Sequence, residues 1–416
     1  MNHFEPRNGV LFAEEVPLQK IAQEVGTPVY VYSAATLRRH FQVFDGAFNE
    51  IDHLTCFAVK ALSNIAILNL LATEGAGFDI VSGGELARVI AAGGDPQKVV
   101  FSGVGKTRDE MKQALEAGIL CFNVESLAEL NQLSEVAQGL GVQAPVSLRI
   151  NPDVDPKTHP YIATGLRSNK FGIQWDEAEE IYILARDLKG IRVKGLDCHI
   201  GSQISSIEPM IEAMEKMVSL VDRLEALGLN IEHLDVGGGL GITYDDEKPP
   251  SPSAYASELI RVLGQRKKKI ITEPGRVIAG NAGILLTKVL LRKKSQEKTF
   301  VIVDAGMNDS IRPALYDAWH GIEPVTHTER APEVVDVVGP VCESGDFLAR
   351  DRELPRMEEG DLVAMRSAGA YGFVMASNYN SRPRIAEVLV SGSQYHVIRE
   401  RERIEDLFAT ESLPEF

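Results

Sequence analysis

The sequence predicts a parallel (β/α)8 barrel of the TIM type, followed by a β-rich C-terminal domain. Between residues 54 and 275, eight short apolar runs alternate with segments of helical periodicity, the pattern of repeated β/α units. Polar residues of the kinds used in catalysis gather at the ends of these runs, and the carboxyl ends of the strands form the active-site face of a barrel. A doubly wound open sheet is the alternative. The count of eight and the placement of the polar residues favour the barrel.

The predicted barrel strands are short runs rich in Val, Ile, Leu and Phe. Such runs are typical of parallel strands, which are covered on both faces. They lie at 54–60, 77–82, 99–103, 121–125, 145–150, 194–200, 233–238 and 269–273.

The segments between the strands repeat apolar residues every three to four positions, which predicts amphipathic helices. Many are followed by a glycine, the usual residue at a helix stop, as at Gly75, Gly93, Gly118, Gly190 and Gly228. The predicted helices are Ile65–Leu71, Glu85–Ala92, Arg108–Ala117, Leu127–Leu140, Asp176–Leu188, Ile207–Leu227 and Tyr255–Leu263.

After residue 280 the pattern changes to Val, Ile and Thr alternating with polar residues, which predicts strands at 281–305, 333–342, 360–366 and 384–398. A final helix is predicted at Tyr395–Leu407. Strand-like runs at Val10–Phe12 and Val29–Tyr32 come too early for the barrel and are assigned to the β domain. The predicted division is therefore a barrel over 35–280 and a β-rich domain formed by 1–34 and 281–416.

Composition narrows the class of protein. A net charge of −16 and a pI of about 5.1 argue against nucleic acid or an anionic membrane as the partner. There is no apolar stretch of roughly 18 residues, and the first residues lack the layout of a signal peptide. The four cysteines are too widely spaced for a zinc motif or a disulfide framework. These features predict a cytoplasmic protein without a metal site.

Lys60 ends the first predicted strand, Leu54–Lys60, and we expect it to be buried. Burying an ammonium is costly, so a buried lysine loses its proton easily and becomes a nucleophile toward carbonyl groups. The alternative is a strand-end lysine whose ammonium reaches water.

Other barrel strands end in groups that suit a phosphorylated ring. Asp79 lies on the second strand, and Gly237–Gly241 follows the seventh, where backbone N–H groups approach anions closely. Glu273 closes the eighth strand and needs a partner, either Arg276 or a protonated pyridine nitrogen. His199, at the end of the sixth strand, is either a core histidine or a residue stacked on a flat cofactor.

The β domain carries three further candidate clusters. Gly339–Asp346 contains Cys342 and Glu343, with an exposed turn capped by Asp346 as the alternative. Gly369–Gly372 surrounds a tyrosine that either touches a ligand or packs in a surface loop. In Asn308–Tyr316 an arginine and a tyrosine four residues apart face the same way on a helix, and arginine is the natural bidentate partner of a carboxylate.

Together these segments resemble the fold-type III pyridoxal phosphate-dependent decarboxylases and, within them, the diaminopimelate decarboxylases. The resemblance covers almost the whole chain in the family's order. The matching motifs are Phe-Ala-Val-Lys60-Ala, His199-Ile-Gly-Ser-Gln203, Gly-Gly-Gly239-Leu-Gly, Glu273-Pro-Gly-Arg276, Ser-Ile-Arg312-Pro-Ala-Leu-Tyr316, Cys342-Glu343-Ser-Gly-Asp346 and Gly-Ala-Tyr371-Gly. The resemblance implies the alanine racemase-like architecture of a barrel with a β domain.

The resemblance also implies residue roles. Lys60 and Glu273 correspond to the Schiff-base lysine and the partner of the ring nitrogen, and His199 to the residue stacked on the ring. Cys342 corresponds to the acid that reprotonates the carbanion, and the catalytic residues implied are Lys60, Cys342 and His199. The cofactor-binding set implied is Lys60, Asp79, His199, Ser202, Gly238, Gly239, Glu273, Gly275, Arg276 and Tyr371, and the substrate-binding set is Arg276, Arg312, Tyr316, Glu343 and Tyr371.

The function implied is pyridoxal phosphate-dependent decarboxylation of meso-diaminopimelate to L-lysine, by a homodimer whose subunits share active sites. The rivals are a decarboxylase of the same fold acting on lysine, ornithine or carboxynorspermidine, and a non-enzymatic relative that binds a protein. The ornithine branch typically has Cys-Asp where this chain has Cys342-Glu343, and a non-enzymatic relative loses catalytic groups that are present here.

Overall fold

The computed structural model describes residues 2–156, 158–159, 162, 164–167 and 169–416. The chain divides into two compact units. One, the barrel unit, comprises His40–Thr243 and Glu247–Ile278. The other, the β unit, comprises Met1–Arg39, Tyr244–Asp246 and Ala279–Phe416.

The chain begins with elements of the β unit and the first helix that leads into the barrel. They are β1 (Phe4–Arg7), β2 (Val10–Ala13), β3 (Val16–Pro17), α1 (Leu18–Val25), β4 (Val29–Ser33) and α2 (Ala34–Gly46).

The middle of the chain alternates strands with helices, as the periodicity predicts. Its elements are β5 (His53–Ala58), α3 (Ile65–Thr73), β6 (Gly77–Ile80), α4 (Gly83–Ala91), β7 (Val99–Phe101), α5 (Arg108–Ala117), β8 (Cys121–Val124), α6 (Leu127–Gly139), β9 (Ala144–Asn151), β10 (Ile173–Gln174), α7 (Ala178–Asp187), β11 (Ile191–Asp197), α8 (Glu208–Ala226), β12 (His233–Asp235), α9 (Pro252–Leu263) and β13 (Lys269–Thr272).

The remainder of the chain is mostly strand. It contains α10 (Arg276–Ala279), β14 (Gly283–Lys294), β15 (Thr299–Val303), α11 (Arg312–Tyr316), β16 (Ile322–Pro324), β17 (Pro332–Val338), β18 (Phe347–Pro355), β19 (Leu362–Met365), β20 (Ala386–Ser391) and β21 (Gln394–Arg399).

The barrel unit holds eight parallel strands in the order β5-β6-β7-β8-β9-β11-β12-β13, and it closes where β13 pairs with β5. β10 adds a short extension beside β9. Cys56, Val100, Cys121 and Ile271 come from four different strands and are fully buried against one another. The predicted fold class is confirmed. The closed ring puts the carboxyl ends of all eight strands at one rim.

Local sequence signals fix the helix ends. Thr107 caps α5 through a capping box with Glu110, which satisfies backbone N–H groups that the first turn leaves without partners. Gly118 ends the same helix in the left-handed conformation that glycine adopts without strain. Among the described residues, none of the helices is both long and apolar enough to cross a membrane.

The β unit is built on a sheet in the order β18-β17-β15-β14-β4-β20-β21, with β19 paired to both β14 and β16. β4, from the N-terminal segment, lies between β14 and β20, so the two ends of the chain share one sheet. A buried core links this sheet to α1 and to the small β1-β2-β3 sheet through residues such as Leu18, Val31 and Leu286.

The predicted helix at Tyr395–Leu407 is wrong. Residues Gln394–Arg399 form β21, which pairs antiparallel with β20, and only Ile404–Phe408 form a short 3-10 helix. Gly392, with φ +59°, makes the tight turn between the two strands. The hairpin pairing overrides the helical spacing of the apolar residues.

Candidate active site

Lys60 does not lie in the strand as predicted. β5 ends at Ala58, and Lys60 is in the 3-10 turn Val59–Ala61 that follows it. Its side chain is 35% exposed, so the expectation of a buried lysine is wrong, and the ammonium stands at the edge of the barrel mouth. Because Lys60 is in the turn and not in β5, its side chain is partly exposed and still lies beside β6.

Asp79 on β6 holds the Lys60 ammonium. Lys60 Nζ lies 2.5 Å from Asp79 Oδ2, and the aspartate is fully buried. β5 and β6 pair so that Ala58 is opposite Asp79, which places the carboxylate next to the turn that carries the lysine. The buried aspartate gives the lysine a fixed position, because a carboxylate in that environment requires a cation.

The glycine run after β12 allows three chain segments to approach one another. A Cβ on Gly237 would lie 2.5 Å from His199 Nδ1, and a Cβ on Gly238 would lie 2.2 Å from the carbonyl oxygen of Glu273. A Cβ on Gly239, which has φ +104°, would lie 2.5 Å from the carbonyl oxygen of Gly201. These three positions therefore have no room for a side chain, and the loop after β12 presents its backbone to the site.

His199 is oriented by this loop. The Gly238 N–H donates to His199 Nδ1 at 3.1 Å. Burial, together with the nearby charges of Arg149 and Lys60, lowers the pKa of His199 well below its usual value, so the ring is neutral at physiological pH. A neutral imidazole held in one orientation by this hydrogen bond suits the predicted stacking role.

Glu273 follows β13 and is 5% exposed. Its Oε1 accepts the Ser102 hydroxyl and the Asn123 amide, both at 3.3 Å. Burial and the carboxyl groups of Asp235 and Asp79 raise the pKa of Glu273 well above its usual value. A buried carboxyl with neutral donors and carboxyl neighbours is suited to a cationic partner from outside the chain.

Arg276, the alternative partner proposed for Glu273, is directed elsewhere. Its Nη2 donates to Ser202 Oγ at 3.1 Å, and Arg276 is only 6% exposed. Gly275 precedes it, and a Cβ there would lie 2.9 Å from the Cβ of Ala61. The loops after β11 and β13 thus place a guanidinium and a hydroxyl together, a pair that suits a phosphate.

These residues fit pyridoxal phosphate. Lys60 would supply the amine for the aldehyde, the glycine loops and Arg276 would hold the phosphate, and the buried carboxyl of Glu273 would meet the ring nitrogen. When bound, the cofactor supplies an electron sink for the bond broken at the amino-acid α-carbon. The structure brings together, at the rim of the barrel unit, Lys60, Asp79, His199, Ser202, Gly238, Gly239, Glu273, Gly275 and Arg276.

In the β unit, the loop of Cys342 and Glu343 is arranged by Asp346. The buried Asp346 accepts backbone N–H groups from Met307 and Val341, each at 2.6 Å, as the capped-turn alternative expects. Cys342 and Glu343 themselves are exposed. The Cys342 N–H donates to Asn380 Oδ1 at 2.8 Å, which fixes the loop from the other side. A rigid base therefore presents an exposed thiol and an exposed carboxylate.

Arg312 begins α11 and is 6% exposed. Its guanidinium lies 4.8 Å from the Tyr244 ring centroid, and Nη1 is 2.8 Å from His320 Nε2. Tyr316 is on the same short helix, as predicted. Stacking and the histidine contact fix the plane of the guanidinium, which favours bidentate binding of a carboxylate.

Tyr371 adopts φ +57°, an uncommon conformation for a residue with a large side chain. The nearby Gly369 and Gly372 have no room for a Cβ. A Cβ on Gly369 would lie 2.1 Å from the carbonyl oxygen of Ala279, and a Cβ on Gly372 would lie 2.6 Å from that of Ala368. The tyrosine is thus held by a tight and strained backbone, a feature that concentrates at ligand sites.

Sequence reasoning missed a set of polar residues inside the barrel. Arg149 on β9 forms a buried ion pair with Glu125 at 3.0 Å and lies 4.9 Å from the Phe171 ring centroid. The available signal was the presence of polar residues within or at the end of apolar runs, as in Phe122-Asn123-Val124-Glu125. The missed residues are Ser102, Asn123, Glu125, Arg149, Asp197 and Asp235.

Comparison with known proteins agrees with this chemistry. Residues 34–280 match the profile of the pyridoxal binding domain of pyridoxal-dependent decarboxylases. The chain is 57% identical to the diaminopimelate decarboxylase of Vibrio cholerae, with 100% of both chains covered, and 57% identical to that of Pseudomonas aeruginosa, with 99% of both covered.

Solved structures are also similar. The diaminopimelate decarboxylase from Helicobacter pylori complexed with L-lysine has a TM-score of 0.92 and 45% identity, with 95% of this chain and 99% of that chain covered. The enzyme from M. jannaschii in co-complex with L-lysine has a TM-score of 0.95 and 39% identity, with 100% and 99% covered.

Proposed function

The chain belongs to the diaminopimelate decarboxylases, a group of pyridoxal-dependent decarboxylases, and from this we propose how its residues perform the reaction. It is an enzyme that uses pyridoxal phosphate to convert meso-diaminopimelate to L-lysine and carbon dioxide, the last step of lysine biosynthesis. The observation that carries the proposed roles is the Lys60–Asp79 pair at the same rim as the buried carboxyl of Glu273.

The barrel unit provides the cofactor site. Lys60 would hold the cofactor through its aldehyde group. Asp79 keeps the Lys60 amine in place before the cofactor binds. Glu273 would stabilise positive charge at the ring nitrogen of the bound cofactor, because a cationic partner offsets the burial of its carboxylate. His199 would stack on the cofactor ring.

The phosphate is held by the remaining rim residues. Ser202, Gly238, Gly239, Gly275 and Arg276 offer hydroxyl, backbone N–H and guanidinium donors. Tyr371 is assigned to the same group of ligands. The Arg276–Ser202 hydrogen bond supports this assignment, because it preassembles a guanidinium beside a hydroxyl.

The β unit provides the groups that select and complete the reaction. Arg312 and Tyr316 bind the distal carboxylate of the substrate, and Glu343 binds the distal ammonium. This selection relies on polar groups that a shorter or uncharged substrate leaves unpaired, which discriminates more sharply than the size of a pocket. Cys342 delivers a proton to the α-carbon after carbon dioxide has left.

We also propose that the enzyme is a homodimer in which Cys342 and Glu343 serve the active site of the partner. The exposure of both side chains on a rigid loop supports this arrangement. In this proposal, residues 35–280 bind the cofactor while 1–34 and 281–416 contribute to substrate binding and to the interface. The four cysteines are free thiols, which supports function in the reducing cytoplasm.

The test of the activity is carbon dioxide release from meso-diaminopimelate with and without added pyridoxal phosphate, against lysine and ornithine as competing substrates. Lys60→Ala is expected to lose turnover and the absorbance band of the bound cofactor. Lys112→Ala, an exposed lysine on α5, is the matched control and should retain both. Normal turnover in Lys60→Ala would overturn the assignment.

The shared site is tested by mixing two inactive variants. Lys60→Ala and Cys342→Ala each damage one half of a composite site. Mixed dimers restore one intact site, so activity should recover toward about a quarter of the wild-type value. A mixture that stays as inactive as its components, although heterodimers form, contradicts sharing.

A further inference from the structure

Three buried carboxyl groups of the barrel unit lie close together. Carboxyl oxygens of Asp197, Asp235 and Glu273 are within 4.8 Å of one another, and all three residues are buried. Asp197 and Asp235 occupy directly paired positions on the neighbouring parallel strands β11 and β12. Like charges on adjacent strands repel, and in a buried site the repulsion is poorly screened.

The two cations that act on this cluster, Lys60 and Arg149, are each paired with another carboxylate. Lys60 is paired with Asp79 at 2.5 Å, and Arg149 is paired with Glu125 at 3.0 Å. Within the described part of the chain, none of the three clustered carboxyls forms an ion pair. The charged groups facing the cluster are Lys60, Asp79, Glu125 and Arg149, and the titratable neutral ones are Cys56, Cys121, Cys198, Tyr182 and Tyr255.

Hydrogen-bond donors are distributed unequally among the three. Asp235 accepts the Gly237 N–H at 3.0 Å and the Asn123 amide at 3.2 Å. Glu273 accepts the Ser102 hydroxyl and the same amide. Asp197 Oδ1 is fully buried and has no hydrogen-bond partner. Donors stabilise the charged form of a carboxyl, so Asp197 is the member least able to carry charge.

We propose that Asp197 carries a proton in the folded protein at neutral pH and acts as a positioning residue that leaves Glu273 free to become the charged member of the cluster. Burial and the carboxyls of Glu273, Glu125 and Asp79 raise the pKa of Asp197 well above its usual value, in agreement with the geometry. The Asn123 amide donates to Asp235 and to Glu273, so it fixes the position of these two carboxyls relative to each other. Asp197 adds no charge beside them.

This role rests on the proposed function of Glu273 as the partner of the ring nitrogen. A charged Asp197 would add a second negative charge within the cluster and would make ionisation of Glu273 costlier. A neutral Asp197 removes that repulsion. The protonation of Asp197 can nevertheless be measured without the cofactor. A failure of this proposal is therefore distinguishable from a failure of the role proposed for Glu273.

The first experiment counts the protons released when the full chain is denatured in guanidinium chloride at pH 7, with and without added pyridoxal phosphate. An aspartate that is protonated when folded ionises when unfolded, because its unfolded pKa is about 3.9. Wild type should therefore release about one proton per chain more than Asp197→Asn, with and without the cofactor. The exposed Asp187→Asn is the matched control and should release as many protons as wild type.

Equal proton release from wild type and Asp197→Asn would overturn the proposal. Titration of cofactor affinity by absorbance adds a functional readout. Asp197→Asn, which mimics the protonated side chain, should bind pyridoxal phosphate within about threefold of wild type, and a loss of tenfold or more would show that the charged form is needed.

A measurement on the wild-type chain covers the case in which the variant does not fold. Infrared spectra of protein labelled with ¹³C-aspartate should show, at pH 7, a protonated carboxyl band with the intensity of at least two aspartates, because Asp235, whose pKa is raised to about 8 by burial, is protonated there as well as Asp197. Absence of this band, or a stoichiometric divalent metal that abolishes it, would overturn the proposal.

Discussion

Replacing Gly238 with alanine is the sharpest single test of the rim geometry. A Cβ at this position would lie 2.2 Å from the carbonyl oxygen of Glu273, and contacts under 3.0 Å are essentially never seen for Cβ atoms. The backbone of Glu273 or of the glycine loop must therefore move by at least about 0.8 Å. The atoms in the way belong to the backbone, so no side-chain rotation relieves the clash.

The expected cost follows from two effects. Overpacking of this kind destabilises a protein by about 1–3 kcal/mol. A shift approaching 1 Å in a catalytic group lowers activity by about 100-fold. The same shift disturbs the Gly238 N–H bond to His199 Nδ1 as well as Glu273. We expect kcat/KM of Gly238→Ala to fall by about two orders of magnitude and cofactor affinity by about tenfold.

The assay is carbon dioxide release under saturating pyridoxal phosphate, together with titration of the cofactor absorbance. Gly105→Ala is the matched control, because a Cβ there meets no atom within 4 Å. It should retain wild-type values for both measurements. If Gly238→Ala also keeps wild-type cofactor affinity and kcat/KM, the glycine loop does not set the position of Glu273 and the geometric reasoning is refuted.

Three further predictions concern other parts of the chain. Burial lowers the pKa of His233 to about 4, below its unfolded value near 6.5, so its contribution to stability is lost as pH falls from about 6.5 to 4, by up to about 3 kcal/mol. His233→Gln should therefore lose less thermal stability than wild type between pH 7 and about 4.5, and an equal loss contradicts this. Arg312→Lys should raise KM for meso-diaminopimelate by about tenfold or more with a smaller effect on kcat, because a lysine lacks the planar fork, and an unchanged KM would remove Arg312 from the substrate site. Glu343→Asp should reduce the ratio of kcat/KM for meso-diaminopimelate over that for lysine, and a ratio equal to that of wild type would exclude the carboxylate from selection.

The barrel was predictable because its signals are local. Apolar runs such as Cys121–Val124 and the amphipathic spacing of Arg108–Ala117 report burial on both faces of a strand and on one face of a helix. The prediction of a final helix was wrong because it relied on local signals alone. The spacing of apolar residues around Tyr395 is helical, but pairing with β20 across the Gly392 turn is a non-local interaction that the local pattern does not report.

The residues proposed from motifs were visible because they stand in unusual local contexts, such as glycines around Tyr371 or a carboxylate closing the apolar run Ile270–Glu273. Asn123 and Asp235 were missed, since each is one polar residue in an otherwise ordinary strand. Their closeness arises only when eight strands close into a ring and point alternate residues inward.

Sequence by itself therefore determined the order of strands and helices and the kinds of chemical group at the strand ends, because both depend on neighbours along the chain. The tertiary structure alone decided that Lys60 stands partly exposed on a turn beside Asp79, and that the carboxyls of Asp197, Asp235 and Glu273 meet without an ion pair to any described residue. These properties depend on the distances between segments that are far apart in the chain and on the loss of water around them. A local sequence pattern reports neither.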